Sequence, residues 1–419
     1  MKFRDEFLIN YWWGIPYKYL HTPDGEIDVR RVVEMKEAGF NHIDAMFSPE
    51  DNKKMLDVAH SLGLKLTVYD ERMREALFNE EKREELVAAV VNDYKDYPAL
   101  FGYHIIDEPA PAMCEVLGKV REQITALDPY HESYINLFPN YAFPGIAGDM
   151  PYDVYVDDFM RIVKPEILSY DNYHYIKGDA IEGASTDESD SMAIRAAYKK
   201  IDRPGFIDNL EVIRAKGIEY DTPYMAIVLV VEHGCYRYVT ESEMRWDVFH
   251  ALAYGCSRLC YFTYWTPGVD GASNDAFWKW KEGMISKEGD KTEHYYMVQN
   301  INRELYPMGQ QLLGRKSLGV FYTNTPPETL TKAFDSYGAV KSIEGDDVTV
   351  GFFEGNMALI VNRSTEDECE ITLSTDSVME FYDALDDEWI ALDKDNGKYD
   401  IGLEAGDAIL VRFINKISK

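Results

Sequence analysis

The sequence is poor in basic residues, and this excludes several classes of partner. It carries 43 Lys and Arg against 74 Asp and Glu, which gives a formal net charge of −31. So acidic a surface repels phosphate groups, and we therefore expect neither a nucleic-acid partner nor a membrane partner. Acidic polymers are also poor candidate substrates, unless a local basic pocket offsets this field.

Cysteine and long apolar runs are also scarce. The five cysteines form no CxxC pair, so we expect neither a zinc site nor a disulfide framework. No apolar run approaches membrane-spanning length, and the start, MKFRDEFLINYWWGIP, lacks the pattern of a secretory signal. We therefore expect a cytoplasmic protein that acts on small, imported substrates.

The first three quarters of the chain repeat one pattern, a helix, a glycine stop and an apolar strand. Asp28 is placed to cap one such helix, and Gly39, Gly63 and Gly217 are placed to end three of them. NYWWGIP, after the first apolar run, has no glycine-rich phosphate fingerprint, which disfavours a dinucleotide-binding sheet. Eight strands alternating with helices instead predict a (β/α)8 barrel. The predicted strands are Phe7–Tyr11, His42–Phe47, Lys65–Tyr69, Phe101–Ile106, Ser133–Leu137, Ile167–Tyr170, Met225–Val231 and Leu259–Tyr264.

From about Ser317 the repeated helix–strand pattern of the chain ends. Short alternating strands follow, and Asn396–Gly397 is a hairpin turn signal. We predict a catalytic barrel over residues 1–314 and an all-β sandwich over residues 315–419. The polar stretch KGDAIEGASTDESDSM after strand 6 is a long insertion, either a lid or a disordered loop.

The strongest site signal is FGYHIIDEPA. An apolar strand ends in Asp107 and Glu108, and function in such barrels gathers at the C-terminal ends of the strands. Partial burial there raises the pKa of a carboxyl, as a general acid requires. Asp107 also suits a helix cap, whereas Glu108 before Pro109 suits one less well.

The second signal is YMAIVLVVEHG, where an apolar run leads into Glu232. A carboxylate there either faces the mouth of the barrel or forms a salt bridge, for which Arg237 and Arg245 are the candidates. Arg245 is either a cation that keeps Glu232 ionised or an ordinary cation on a helix surface. Carboxyls from strands 4 and 7 can flank a glycosidic bond, one protonating the leaving oxygen and the other attacking the anomeric carbon.

Together these features resemble clan A of the glycoside hydrolases, over roughly residues 5 to 312. The resemblance implies a retaining glycosidase with Glu108 as acid/base, Glu232 as nucleophile and Trp265, at the end of strand 8, as the floor of the sugar site. It implies no cofactor and no metal. The clan usually has Asn before the acid/base, which binds the sugar 2-hydroxyl, whereas this chain has Asp107. An ionised Asp accepts but does not donate a hydrogen bond, so the chain resembles a divergent branch.

Further polar and aromatic residues at strand ends are candidates for binding a carbohydrate substrate, each as plausibly structural as functional. They are Trp13, Asp44, Asp70, Asn136, Asp171, Tyr173 and His174, with Tyr11 and Trp12 as possible pocket walls.

Two alternative functions stay open. A sugar isomerase or epimerase would hold a divalent metal ion, with Glu108, His174 and Glu232 as possible ligands. A carbohydrate-binding protein without catalysis would use the same fold.

Overall fold

The computed structural model describes residues 5–142, 150–177, 203–269, 275–324 and 330–414. Eight parallel strands form one sheet in the order β1-β8-β7-β6-β5-β4-β3-β2, with helices between successive strands. The prediction of a (β/α)8 barrel is therefore confirmed. The strands are β1 Leu8–Trp12, β2 His42–Ala45, β3 Lys65–Tyr69, β4 Leu100–Asp107, β5 Glu132–Leu137, β6 Leu168–Asp171, β7 Tyr224–Leu229 and β8 Arg258–Phe262.

Two of the three glycines that were predicted to end helices, Gly39 and Gly63, do follow the end of a helix. Asp28 caps its helix by accepting a hydrogen bond from the Arg30 amide, and Gly63 ends another with φ +70°. The prediction for Gly217 is wrong, because this residue lies inside a helix, where an added Cβ would lie 2.3 Å from the Tyr224 ring. The helices are α1 Tyr17–Leu20, α2 Val29–Glu37, α3 Pro49–Leu62, α4 Glu71–Phe78, α5 Arg83–Tyr94, α6 Cys114–Leu127, α7 Tyr152–Val163, α8 Phe206–Glu219, α9 Glu241–Ala253, α10 Asp275–Trp278 and α11 Glu293–Leu312.

An asparagine side chain joins the two ends of the parallel sheet. Asn41, just before β2, accepts a hydrogen bond from the Ile9 amide at 2.8 Å and donates to the Phe7 carbonyl at 2.9 Å. The Asn41 amide also bonds the Ile9 carbonyl. One residue therefore links β1 to β2 and closes the sheet into a barrel.

An ion pair fills the lower part of the barrel interior. Both guanidinium Nη atoms of Arg258, at the start of β8, lie 2.7 Å from the carboxylate of Glu132, at the start of β5. Gly102 makes room for this carboxylate, because an added Cβ would lie 2.5 Å from Glu132 Cγ. The pair is almost completely buried, so the barrel is a packed core and substrates are expected only at its mouth.

Two antiparallel sheets follow the barrel, as the prediction of an all-β region requires. One sheet has the order β10-β13-β16 and the other β15-β14-β17-β12-β11-β9. Asn396 and Gly397 form a tight turn with φ of +50° and +89°, between paired Asp395 and Lys398. The strands are β9 Ser317–Tyr322, β10 Val340–Gly345, β11 Val348–Phe353, β12 Met357–Asn362, β13 Cys369–Thr375, β14 Val378–Asp383, β15 Glu388–Ala391, β16 Lys398–Leu403 and β17 Ala408–Ile414.

Helix α9 packs between the barrel and the β-region. It contacts β7 and α11 on one side and β11 and β12 on the other. His250 on this helix hydrogen-bonds Thr349 at 2.7 Å, and an added Cβ on Gly351 would lie 2.1 Å from the Ala253 carbonyl oxygen. The two parts of the chain therefore share a tightly packed interface.

The insertion after strand 6, predicted as a lid or a disordered loop, lies almost entirely outside the described residues. All five cysteines are buried, free thiols. Within the described ranges, no helix is both long enough and apolar enough to cross a membrane.

Candidate active site

Polar residues gather at the C-terminal ends of the barrel strands, where this fold places its active sites. Asp44 lies near the end of β2, Asp107 ends β4, Asn136 lies near the end of β5 and Asp171 ends β6. Three carboxyls and an amide therefore surround the mouth of the barrel.

A β-bulge in β4 sets the position of Asp107. His104 pairs with Tyr134 in β5, but Ile106 pairs with Ile135, the next residue, so β4 carries one extra residue at this point. Asp107 is therefore the residue that stands beside Asn136. Without the bulge, an isoleucine would occupy this place.

Asn136 links two carboxyls across the mouth. Its Nδ2 donates to Asp107 Oδ1 at 3.1 Å and to Asp171 Oδ1 at 2.9 Å. Its side-chain oxygen accepts a hydrogen bond from the Ser169 hydroxyl at 2.8 Å, which fixes the amide orientation. The two Asp oxygens are therefore no more than about 6 Å apart, the sum of the two distances to the shared nitrogen.

The surroundings of these carboxyls shift their titration. Desolvation of the Asp107 carboxyl raises its pKa to about 6, although the residue as a whole is exposed at the end of β4. Hydrogen bonds from Asn136 and the Glu108 amide oppose the shift. Burial, with added repulsion from Asp44, Asp171 and Asp107, raises the pKa of the Cys260 thiol, which stays neutral among them. With its pKa at about 6, Asp107 can exchange a proton near neutral pH.

Glu108 follows Asp107 in a left-handed backbone conformation, with φ +44°. Its amide donates to the Asn136 carbonyl at 2.9 Å, and the Tyr155 hydroxyl donates to the next carbonyl, that of Pro109, at 2.9 Å. The side chain is half-buried. A non-glycine residue in this region is strained, and such strain clusters at functional sites.

Glu232 lies three residues beyond the end of β7 and is partly exposed. Its Oε1 lies 2.9 Å from the Lys177 ammonium. The predicted partners are wrong, because Arg237 pairs with Glu243 and Arg245 pairs with acids of α11 and of the β-region. Glu232 borders a cavity of about 670 Å³ that is also lined by Thr266 and Trp280.

A second, smaller cavity contains two of the predicted substrate-binding residues. Trp13 and Asp44 line it together with residues of the loops after β1, β2 and β8, and its volume is about 240 Å³. Burial, with repulsion from Glu132, raises the pKa of Asp44 to about 8. Asp44 is therefore mostly protonated at neutral pH and can donate a hydrogen bond, which an ionised Asp cannot.

Aromatic rings form one wall of the mouth between β6 and β8. Tyr173 packs on Phe262 at 5.2 Å and on Tyr236 at 5.5 Å between ring centroids. His233 stacks on Trp280 at 4.4 Å and also contacts Phe262 at 5.5 Å. Such faces suit the apolar faces of a sugar ring.

Two of the predicted aromatic residues pack against other parts of the protein. Trp265 is fully buried and stacks on Tyr19, with ring centroids 5.0 Å apart. Tyr11 is also buried, and its hydroxyl contacts the Met35 sulfur of α2 at 3.0 Å. Trp265 as the floor of a sugar site therefore stays a prediction from the resemblance.

Two predicted polar residues have structural partners. Asp70 caps α4 and binds Arg72 and Tyr94. His174 hydrogen-bonds the buried Asp247 at 2.8 Å. These contacts satisfy both side chains without a ligand.

His104, which was not among the predicted site residues, lies in the barrel interior below the mouth. Trp12, Tyr69 and Tyr134 surround its ring at 5.1, 5.4 and 5.2 Å between centroids. Burial lowers its pKa to about 4, so it is neutral, and its buried Nε2 has no hydrogen-bond partner. The sequence pattern that could have pointed to His104 is a polar residue at an inward-facing position of an otherwise apolar strand.

No known protein-family profile and no curated protein sequence matches this chain. Solved structures do match. A glycoside hydrolase is 11 % identical with a TM-score of 0.59, the match covering 99 % of this chain and 93 % of that one. A glycoside hydrolase family 5 protein from Bacteroides vulgatus is 11 % identical with a TM-score of 0.55, covering 99 % and 90 %. A β-galactosidase from the psychrophilic Marinomonas ef1 is 9 % identical with a TM-score of 0.54, covering 74 % of this chain and 62 % of that one. At these identities the likeness establishes a shared fold.

Proposed function

We propose that this chain is a retaining glycoside hydrolase that cleaves a small glycoside or oligosaccharide. The observation that carries the proposal is the gathering of carboxyls at the mouth of the barrel, with Asp107 and Asp171 hydrogen-bonded to one asparagine and Glu108 following Asp107 in the chain. The fold shared with several glycoside hydrolases adds support.

The proposed mechanism is a double displacement. Glu108 donates its proton to the glycosidic oxygen while the Glu232 carboxylate attacks the anomeric carbon, which releases the aglycone as an alcohol and leaves a glycosyl ester on Glu232. Glu108, now ionised, then takes a proton from water as that water attacks the same carbon. This step frees Glu232, restores the proton on Glu108 and gives a sugar with the original anomeric configuration.

Two features are compatible with these roles. The attacking carboxylate must be ionised, and Glu232 is ion-paired with Lys177 at 2.9 Å. The backbone of Glu108 is in a strained left-handed conformation, and strained residues of this kind cluster at functional sites. Retention requires the two carboxyls to lie roughly 5–5.5 Å apart in the substrate complex, whereas inversion requires about 6.5–9.5 Å.

A panel of nitrophenyl glycosides tests the activity, and proton NMR of the first product tests its configuration. We expect turnover of at least one substrate, with the initial anomer matching the substrate. An inverted anomer would exclude the double displacement, and no turnover across the panel would count against a hydrolase.

Glu108→Ala tests the acid/base role. Because an activated aryl leaving group departs without a proton, we expect this variant to lose far more activity on alkyl glycosides than on dinitrophenyl glycosides. Added azide should restore turnover, because it attacks the glycosyl enzyme without base help. The exposed Glu115→Ala on α6 is the matched control. Equal losses on both substrate classes, without rescue, would remove Glu108 from this role.

Glu232→Ala tests the nucleophile. We expect a loss of activity on every leaving group, because no glycosyl enzyme forms. With azide as an external nucleophile, the product should be a glycosyl azide of inverted configuration. A variant that still accumulates a covalent intermediate with a slow fluorinated substrate would exclude Glu232.

A further inference from the structure

One buried arginine in the described part of the chain has no anionic partner. Arg203 is only 3 % exposed, and its Nε, Nη1 and Nη2 atoms are all buried without a hydrogen-bond partner. The other two buried arginines, Arg214 and Arg258, each bind a glutamate through two nitrogens at 2.6 to 2.7 Å. Arg203 is thus an exception in a chain with 74 acidic residues.

Packing on aromatic rings offsets only part of the cost of this burial. The Arg203 guanidinium lies 3.6 Å from the Tyr141 ring centroid and 5.7 Å from that of Tyr236. A desolvated cation–π contact contributes about 2 kcal/mol. Burying a charged group without a hydrogen-bonding partner costs more than this, so the contacts alone do not explain the arginine.

Arg203 lies on the catalytic face of the barrel. It belongs to the loop after β6, and its amide donates to the His174 carbonyl of the same loop at 2.7 Å. Tyr141 follows β5 and Tyr236 follows β7, so the rings around the guanidinium also come from loops at the C-terminal ends of strands.

A short series of contacts joins Arg203 to the carboxyls of the mouth. The Tyr141 hydroxyl that lies beyond the guanidinium accepts a hydrogen bond from the Tyr173 amide at 3.3 Å. Tyr173 follows Asp171 by two residues, and burial together with the nearby Asp171 charge raises the pKa of Tyr173. One tyrosine ring thus separates the cation from the wall of the candidate active site.

We propose that Arg203 binds an anionic substituent of the sugar substrate, a carboxylate or a phosphate or sulfate ester. A guanidinium presents a planar fork of donors that matches the two oxygens of such a group, and all three nitrogens of this fork are available. Tyr141 covers the cation and is itself partly exposed. We expect its side chain to rotate when the substrate binds, giving up the hydrogen bond from the Tyr173 amide and opening the guanidinium to the mouth. The site is the local basic pocket that would let so acidic a protein accept an acidic substrate. This inference rests on the proposed glycosidase function and adds its substrate class.

Kinetics on matched substrates test the proposal. The probes are nitrophenyl glycosides of a uronic acid, of a hexose 6-phosphate, of a hexose 6-sulfate and of the neutral hexose. We expect one anionic class to exceed the neutral sugar at least tenfold in kcat/KM. Arg203→Gln should lower that kcat/KM about 10- to 100-fold, as for a lost hydrogen bond to a charged group, and change the neutral substrate less than threefold. The exposed Arg161→Gln is the control.

Stability gives an independent readout. Replacing an arginine that stabilises the fold lowers the stability of the protein. Replacing an arginine that serves only to bind a ligand leaves the stability unchanged or raises it, because an unpaired buried charge is removed. We expect Arg203→Met to unfold at an equal or higher temperature than the wild type, and Arg258→Met to unfold at a lower one. A marked loss of stability in Arg203→Met would overturn the proposal.

Direct binding separates this inference from the proposed function. Calorimetry with glucuronate, glucose 6-phosphate and glucose 6-sulfate should detect an anion that binds the wild type and not Arg203→Gln, even if no glycoside is hydrolysed. Preference for neutral substrates, together with equal kinetics in wild type and Arg203→Gln, would refute the anion site while leaving the glycosidase intact.

Discussion

The ion pair inside the barrel provides a quantitative test of the structure. Glu132→Ala removes the carboxylate that pairs with Arg258 and leaves the guanidinium buried over the Phe101 ring, 4.6 Å from its centroid. Removing one member of a buried ion pair costs about 3–5 kcal/mol. A protein of this size has a urea m-value of about 3 kcal/mol per M, so the unfolding midpoint should fall by about 1 to 2 M.

Urea titration followed by circular dichroism and by Trp fluorescence measures this midpoint. Asp158→Ala removes the exposed partner of Arg161, which is worth at most about 1 kcal/mol, and should shift the midpoint by no more than about 0.3 M. The double variant Glu132→Leu with Arg258→Met should lose less than Glu132→Ala alone, because no unpaired charge remains. If Glu132→Ala shifted the midpoint no more than Asp158→Ala, the pair would not be buried as described.

Three further predictions concern the mouth of the barrel. Because burial raises the pKa of Asp44 to about 8, the folded protein keeps a proton between about pH 4 and pH 8 that the unfolded chain has lost. The free energy of unfolding contributed by Asp44 therefore falls as the pH rises through this window, and Asp44→Asn should flatten this part of the stability curve in thermal scans. Asn136→Leu removes a donor that lowers the pKa of Asp107, so carbon NMR of the labelled carboxyl should show it titrating above pH 6. Activity should survive exhaustive chelation, whereas loss with recovery on Mg²⁺ or Mn²⁺ would favour the isomerase.

The barrel could be predicted from the sequence because each strand is a short apolar run with its own boundaries. The predicted β3, Lys65–Tyr69, matches in full, and β4 is longer by one residue at each end. In the β-region the predicted strands were VTVGFFEG, MALIVNRS, CEITLST, MEFYDAL, EWIAL and AILVRF, so β9, β10 and β16 were missed. In β10 and β16, exposed residues interrupt the apolar pattern. Gly217 was misread because a glycine that makes room for a ring looks the same in sequence as one that ends a helix.

The candidate site was only partly predictable. Asp107, Asn136 and Asp171 were recognised as separate residues at strand ends, but Asp107 stands beside Asn136 only because of a one-residue bulge in β4 that no local pattern reveals. The partner of Glu232 was missed, because Lys177 comes from the loop of a different strand. Arg203 was missed for a related reason. What distinguishes it is that its buried nitrogens have no hydrogen-bond partner, and this can be seen only in the folded structure.

Helix α9 limits how this chain can be divided or recombined. Its buried residues face both the barrel and the β-region, and Arg245 on it binds Glu304 of α11 and Asp407 of the β-region at 2.6 Å each. A cut between residues 314 and 315 would leave an apolar flank of the barrel in water, with a guanidinium that has lost one of its two acids. A gene-fusion event could therefore exchange the β-region only for another that presents the same surface to α9, and laboratory truncations at this boundary should give aggregates rather than a smaller folded protein.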